Sequence, residues 1–222
     1  MLEKEAAKLG RAAARTPDVH AADAFKYGFT TADSFGGSML AADGIRFFST
    51  VHYKNPDETG TTYSNASAIG ITLTEENLEI GLLASQQQKD ARGILANVNP
   101  RILLVPLALR KAAMIITGSD KRSDTGDNDI NVYKGGALEV VVWPELGTST
   151  SLGSGSNTAW FLLDKEIHEM MFQWRERPFL PEVEFDKKKL VYEYSVYARW
   201  EFGLVDWRGI WASKGNSAAY SS

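Results

Sequence analysis

Four aspartates crowd one short stretch: Asp120, Asp124, Asp127 and Asp129, with Asn128 and Asn131 among them. Oxygen ligands at that density are what a hard cation such as Ca²⁺ takes. The spacing argues against a built site. A calcium loop of the helix–loop–helix type needs acids or amides at its first, third and fifth positions, Gly at the sixth and Glu at the twelfth. Counted from Asp120, the third position is Arg122. Counted from Asp124 or Asp127, the sixth is Asp129 or Val132. The stretch reads as a solvated surface loop, with weak cation binding the lesser alternative.

Other residue types with chemical potential are equally unconvincing as sites. The histidines are His20, His52 and His168. "HEMMF" opens like a zinc-protease helix, but Phe172 stands where the second ligand belongs. In "GSGS", residues 153–156, Thr158 occupies the place of the third glycine of a dinucleotide fingerprint. No lysine closes a Gly-rich loop, and no G-x-S-x-G elbow occurs. Glu166 and Glu169 could be posed as general acid and base, yet their charged surroundings fit a solvated face better. Asn65 starts an N-A-S sequon, which reads as a chance match. The expectation is no catalytic, cofactor-binding or metal-ligating set, and no enzyme.

Composition narrows the classes further. The 222 residues are 44% hydrophobic, with 6 Trp, 8 Tyr and 10 Phe, ample for a packed core. The net charge of −4 argues against a surface built throughout for nucleic acid. Cysteine is absent, which removes disulfides, thiolate zinc sites and thiol nucleophiles. The opening "MLEKEAAKLGRAAAR" carries charges where a secretory signal needs an apolar run, and no stretch approaches the ~20 apolar residues of a membrane span. No membrane partner is expected.

The elements that would position any site follow from periodicity. Leu2, Ala6, Leu9 and Ala13 share one helical face, and Val19, Ala22, Phe25 and Phe29 continue after Thr16-Pro17. These are one long bent helix or two in series. Residues 30–70, rich in Gly, Ser, Thr and Asn, read as a long connection with a short strand-like run in "ADGIRFFSTVHY" and a loop at "NPDETGTTYSN". Thr74 opens a helix that ends near Lys89, with Glu75 and Glu76 in its first turn. "RILLVP" reads as a buried strand, "LALRKAAMII" as a helix, and "LEVVVWPEL" and "TAWFLLD" as strands. "EMMFQWRERPF", "EVEF" and "LVYEYSVYARWEFG" alternate as strands do. Helices first, mixed elements next and long strands last predict an α+β fold, not a repeating βαβ unit.

The ordered series "LGRAAARTPDVHAADAF", "DGIRFFSTVHY", "TYSNASA", "LTEENLE", "DARG", "PRILLVP", "NDINVYKGG", "VVVWPELG", "AWFLLD", "FQWRERP" and "YEYSVYARWEFGLVDWRGIW" resembles the major capsid proteins of tailed bacteriophages. Within them it is most similar to the Mu-like major head subunit branch of the HK97-like capsid fold. The resemblance covers about residues 1–213. It implies a peripheral domain from residues 1–73, with a spine helix, and from the strands of 164–206. It implies an axial domain from residues 74–163, to which residues 207–222 return. Such proteins carry an N-terminal arm and an extended hairpin before the spine helix, and the expectation here is that the chain lacks both.

The function implied is structural. Copies would assemble as hexamers and pentamers into an icosahedral shell in the virion, made in the bacterial host cytoplasm. The shell would touch packaged double-stranded DNA weakly and without sequence preference. Portal, scaffold or decoration proteins would be further partners. An encapsulin-type nanocompartment is the runner-up, and a small α+β enzyme or binding protein a distant third. On this resemblance the acidic loop becomes a contact between subunits, with Asp124, Asp127, Asp129 and Asn131 as candidates. Arg175, Arg177, Asp206 and Arg208 are the candidate contacts of the peripheral domain.

Overall fold

A four-stranded sheet covered on both faces organises the protein in its computed structural model, which describes residues 2–31, 37–55, 58–121, 130–135, 138–148, 155–181 and 183–218. Three helices and ten strands are described: α1 (Leu2–Tyr27), β1 (His52–Asn55), β2 (Glu58–Tyr63), α2 (Glu75–Gln86), β3 (Ile102–Val105), α3 (Arg110–Gly118), β4 (Glu139–Val142), β5 (Trp160–Leu163), β6 (Met170–Phe179), β7 (Glu184–Asp186), β8 (Val191–Glu193), β9 (Tyr197–Leu204) and β10 (Ile210–Ser213). The architecture is mixed α+β, as the element order predicts.

The central sheet has the order β10-β5-β3-β4. β3 and β4 are parallel and in register from Ile102↔Glu139 to Val105↔Val142, with α3 in the crossover between them. β5 runs antiparallel to both β3 and β10. Strand alternation sends side chains to two cores. Leu104, Phe161, Leu163, Ile210 and Ala212 join Phe25, Phe29, Phe47 and Phe48 on one face. Leu103, Val105, Trp160, Leu162 and Trp211 join Leu78 and Ala113 on the other. Burial on both faces is why these strands read as unbroken apolar runs.

α1 is one continuous helix of 26 residues with Pro17 inside it. Proline removes a helical N–H, and the Thr16 hydroxyl donates to the Ala12 carbonyl just before it. Its buried positions, Val19, Ala22, Asp23, Ala24 and Phe25, fall in the second half. Arg15 donates to Glu145 and ties the helix to the 3₁₀ turn Pro144–Leu146. α2 starts where Thr74 accepts the Asn77 N–H, and it buries Leu78, Gly81 and Ser85 against the sheet.

Several local expectations are corrected. "NPDETGTTYSN", expected as a loop, contributes β2, which pairs with β1 as an antiparallel hairpin. The strand-like run before it forms a strand only at its end, where His52 and Tyr53 open β1, and its earlier part is bent chain whose Phe47 and Phe48, each 1% exposed, are core anchors. The connection therefore supplies core, not merely length. "LVYEYSVYARWEFG", read as strand-forming, divides into β8 and β9. "LALRKAAMII" begins as the 3₁₀ turn Leu107–Leu109 before α3, and "LEVVVWPEL" ends in one after β4, where Pro144 stops the strand.

Residues 170–204 form an arm. β6 and β9 pair antiparallel as a two-stranded ribbon with Trp174 opposite Trp200, and the small β7–β8 hairpin lies between them in sequence. Trp200 Nε1 donates to His20 Nδ1 at 2.9 Å, which fixes the ribbon to α1.

Candidate functional site

The candidate contact residues divide into three groups. Asp124, Asp127 and Asp129 lie outside the described residues. The base of their loop is described. A bridge pairs Lys121 with Ile130, and Asp120 forms an ion pair with Lys134. Asn131 faces inward: it is 4% exposed, its Nδ2 donates to the carbonyls of Ile116 and Ser119, and its Oδ1 accepts the Tyr133 N–H. Its side chain anchors the loop to α3. Tyr133 donates to Glu79 and secures the same base to α2.

Arg175 and Arg177 stand exposed on β6. Asp206 and Arg208 instead hold the chain to itself. The Arg208 guanidinium donates to both Asp206 oxygens, to the Lys89 carbonyl at 2.6 Å and to the Lys54 carbonyl at 2.8 Å. It lies 4.4 Å from the centre of the Trp207 ring. One side chain thus clamps the ends of the β1 hairpin, the α2–β3 connection and the 206–209 turn.

Beneath that clamp lies a buried polar cluster that the sequence reading missed. His52 is fully buried and stacks on Trp207 with ring centres 5.0 Å apart. Its Nδ1 lies 2.8 Å from Asp43 Oδ2, and its Nε2 lies 3.1 Å from Asn65 Oδ1. The Asn65 amide cannot be reversed without loss, because Oδ1 also accepts the Ser49 N–H while Nδ2 donates to the carbonyls of Phe47 and Trp207. Both ring nitrogens therefore face side-chain oxygens. Burial pushes the Asp43 carboxyl up, but hydrogen bonding and charge from His52, with the N–H groups of Ile45 and Tyr53, outweigh it and hold it below the ordinary range.

This cluster has the residue types of a catalytic pair and the geometry of a brace. General-base work needs a nitrogen open to a substrate proton, and His52 is engaged at both. The burial of Asn65 also disposes of the sequon, since its amide is spent on four hydrogen bonds inside the fold. His168 Nδ1 accepts the Met170 N–H, and Glu169 is solvent-exposed. Among the described residues, no group of three or more His, Asp or Glu could hold a metal ion, and no helix is long and apolar enough to cross a membrane.

What the surface offers is apolar. Along the arm, Phe179, Leu180, Val183, Phe185, Leu190, Tyr192 and Tyr197 are exposed, from 42% for Tyr197 to 75% for Leu190. Phe179 touches Tyr197 edge-on and Phe185 touches Tyr192, so the rings stack on one another rather than on the body. Large apolar side chains exposed in such number along one element are a feature of interaction surfaces. Covering what remains exposed of each such side chain recovers part of the ~1.5–3 kcal/mol that full burial is worth.

A scan against family models matches residues 1–213 to the phage capsid protein family. The chain belongs to that family. A phage capsid protein works as a structural part of the virion, and the exposed arm and internally braced polar residues fit a surface made to meet other chains. A search of curated proteins found no match to this capsid protein.

Proposed function

We propose that this capsid protein is the shell-forming subunit of a tailed-phage head. Its copies group as hexamers and pentamers of an icosahedral shell around double-stranded DNA. The HK97-like fold and its Mu-like branch are the part of the proposal that rests on sequence resemblance. Residues 1–73 and 164–206 act as the peripheral domain. Residues 74–163 and 207–222 act as the axial domain, a division favoured by β10, which returns after the arm to pair with β5. Portal, scaffold or decoration proteins complete the partners. Contact with DNA is weak, in keeping with the net charge of −4.

The arm carries this reading. A two-stranded ribbon is marginal by itself in water, and this one exposes a row of large apolar side chains toward its tip. Repetition by closed symmetry covers such a surface many times with a single kind of contact. Light scattering on the purified full chain, with negative-stain microscopy of the same fraction, tests it. Closed shells of megadalton mass are expected. A species of 24.5 kDa at every concentration and salt condition would overturn the self-assembling role.

A further inference from the structure

Away from the arm, two features of opposite shape lie on the body of the protein. The first is a knob. In "DARGIL", residues 90–95, Asp90 Oδ1 accepts the N–H groups of Arg92 at 2.8 Å and Ile94 at 3.0 Å. The Asp90 N–H donates to the Ile94 carbonyl, and Gly93 takes a φ of +84°, which favours glycine. A bridge between Lys89 and Leu95 closes the turn, and Arg208 holds the Lys89 carbonyl from below. This bracing presents Ile94 and Leu95 side by side, each 59% exposed. The turn is fixed by these bonds, so the two aliphatic side chains would meet a partner with little ordering cost.

The second feature is a groove of about 330 Å³ along α2. Ile69, Ile71, Ile80, Ala84 and Trp211 line it, with Ile69 and Ile80 more than half exposed. Glu76 is one helical turn before Ile80 on the same face and stands exposed at the groove's end. Beside the knob, the Arg92 side chain is 79% exposed. Its Nε and Nη2 reach Asp90 and its Nη1 has no bond to that carboxylate. The shapes are complementary, and Arg92, paired with Asp90 through Nε and Nη2 only, keeps Nη1 available to a second carboxylate such as Glu76.

We propose that the Ile94–Leu95 knob of one copy seats in the Ile69–Ile80 groove of the next, with Arg92 toward Glu76. The contact is head-to-tail, because knob and groove are different surfaces of the same chain, and head-to-tail contacts close into rings when the rotation allows. This inference rests on the self-assembling reading and names a surface for it on the body of the subunit, separate from the arm.

The absence of cysteine makes the test clean. The full chain carrying Ile94→Cys and Ile80→Cys together is oxidised under assembly conditions, beside each single variant and a Leu190→Cys/Ile80→Cys pair. A covalent ladder extending past the dimer is expected from the Ile94/Ile80 pair alone, lost on reduction. Single variants stop at dimers or remain at 24.5 kDa. Particles that assemble without that ladder overturn the knob and groove while the shell reading stands. A ladder from the Leu190/Ile80 pair instead assigns the groove to the arm tip and overturns the knob. A wild-type chain that never leaves 24.5 kDa overturns both readings.

Discussion

Replacing Asn65 with Ala tests whether the buried polar cluster braces the fold. The side chain is fully buried and makes four hydrogen bonds, at 2.7, 2.9, 3.1 and 3.2 Å. Truncation leaves two donors, the Ser49 N–H and His52 Nε2, and two acceptors, the Phe47 and Trp207 carbonyls. A buried group stripped of its partner costs about 1–3 kcal/mol, and orphaned N–H groups are tolerated less well than carbonyls. Two donors at about 1–1.5 and two carbonyls at about 0.5 give a loss of roughly 3–4 kcal/mol. Domains of this kind are stable by only about 5–15 kcal/mol, so the effect is large. Urea unfolding followed by tryptophan fluorescence reads it, since Trp207 stacks on His52 within the cluster. The midpoint should fall at nearly constant slope. Asn65→Asp keeps the shape but turns an acceptor toward two carbonyls and should lose at least as much. A loss below about 1 kcal/mol for the Ala variant would show that water replaces the amide freely, and the brace argument would be refuted.

Two further predictions follow from the same geometry. The Asp43 carboxyl is depressed below its ordinary range near 3.8, so it contributes stability above that range that is lost as pH falls through its folded value. Acid titration of stability should show this loss in the wild type and not in Asp43→Asn, and identical acid limbs for the two would count against the His52–Asp43 pair. Gly10 and Gly81 are both helical, but a Cβ at Gly10 meets nothing within 4 Å, whereas one at Gly81 would lie 2.9 Å from Trp211, 3.0 Å from Trp160 and 3.1 Å from Leu162. Gly10→Ala should stabilise by up to about 1 kcal/mol, and Gly81→Ala should destabilise by about 1–2 kcal/mol as overpacking exceeds that gain. Equal thermal shifts in the two variants would contradict the packing of α2 on the sheet.

Much of the fold is legible in the sequence because its signals are local. The unbroken apolar runs of β3 and β5, and Thr74 ahead of α2, need no knowledge of distant residues. The misreadings share a non-local cause. Phe47, Phe48, His52 and Asn65 sit in a segment whose Gly, Ser, Thr and Asn content signals a loop, and they are buried because α1, the β5 strand and Trp207 close over them. Nothing within "DGIRFFSTVHY" reveals that His52 will meet Asp43 and Asn65. The Phe-Phe pair was the one available hint of an anchored segment. Pro17 leaves one helix or two open in the sequence, and the packing of Val19, Ala22 and Phe25 with the Arg15–Glu145 tie accompanies the single continuous helix.

The same comparison shows why contact residues are hard to choose from polarity. Asn131, Asp206 and Arg208 look like surface chemistry in the sequence, and the fold consumes them in hydrogen bonds that fix the 120–131 loop base and the 206–209 turn. Leu180, Leu190, Ile94 and Leu95 look like core, and the fold leaves them exposed. The inversion follows from a chain that completes its burial in assembly. The central sheet, covered on both faces, is a sufficient core for the subunit, so the arm and the knob need not contribute to it. On the proposed reading their apolar area is left for other chains, where the stabilisation it brings depends on concentration and partner. A polar residue that must hold a loop at a fixed angle to that core is worth more inside the subunit than on its rim, where an exposed ion pair contributes only ~0–1 kcal/mol. In such a protein the internal hydrogen bonds set where the surfaces point, and the exposed apolar side chains set how strongly they bind.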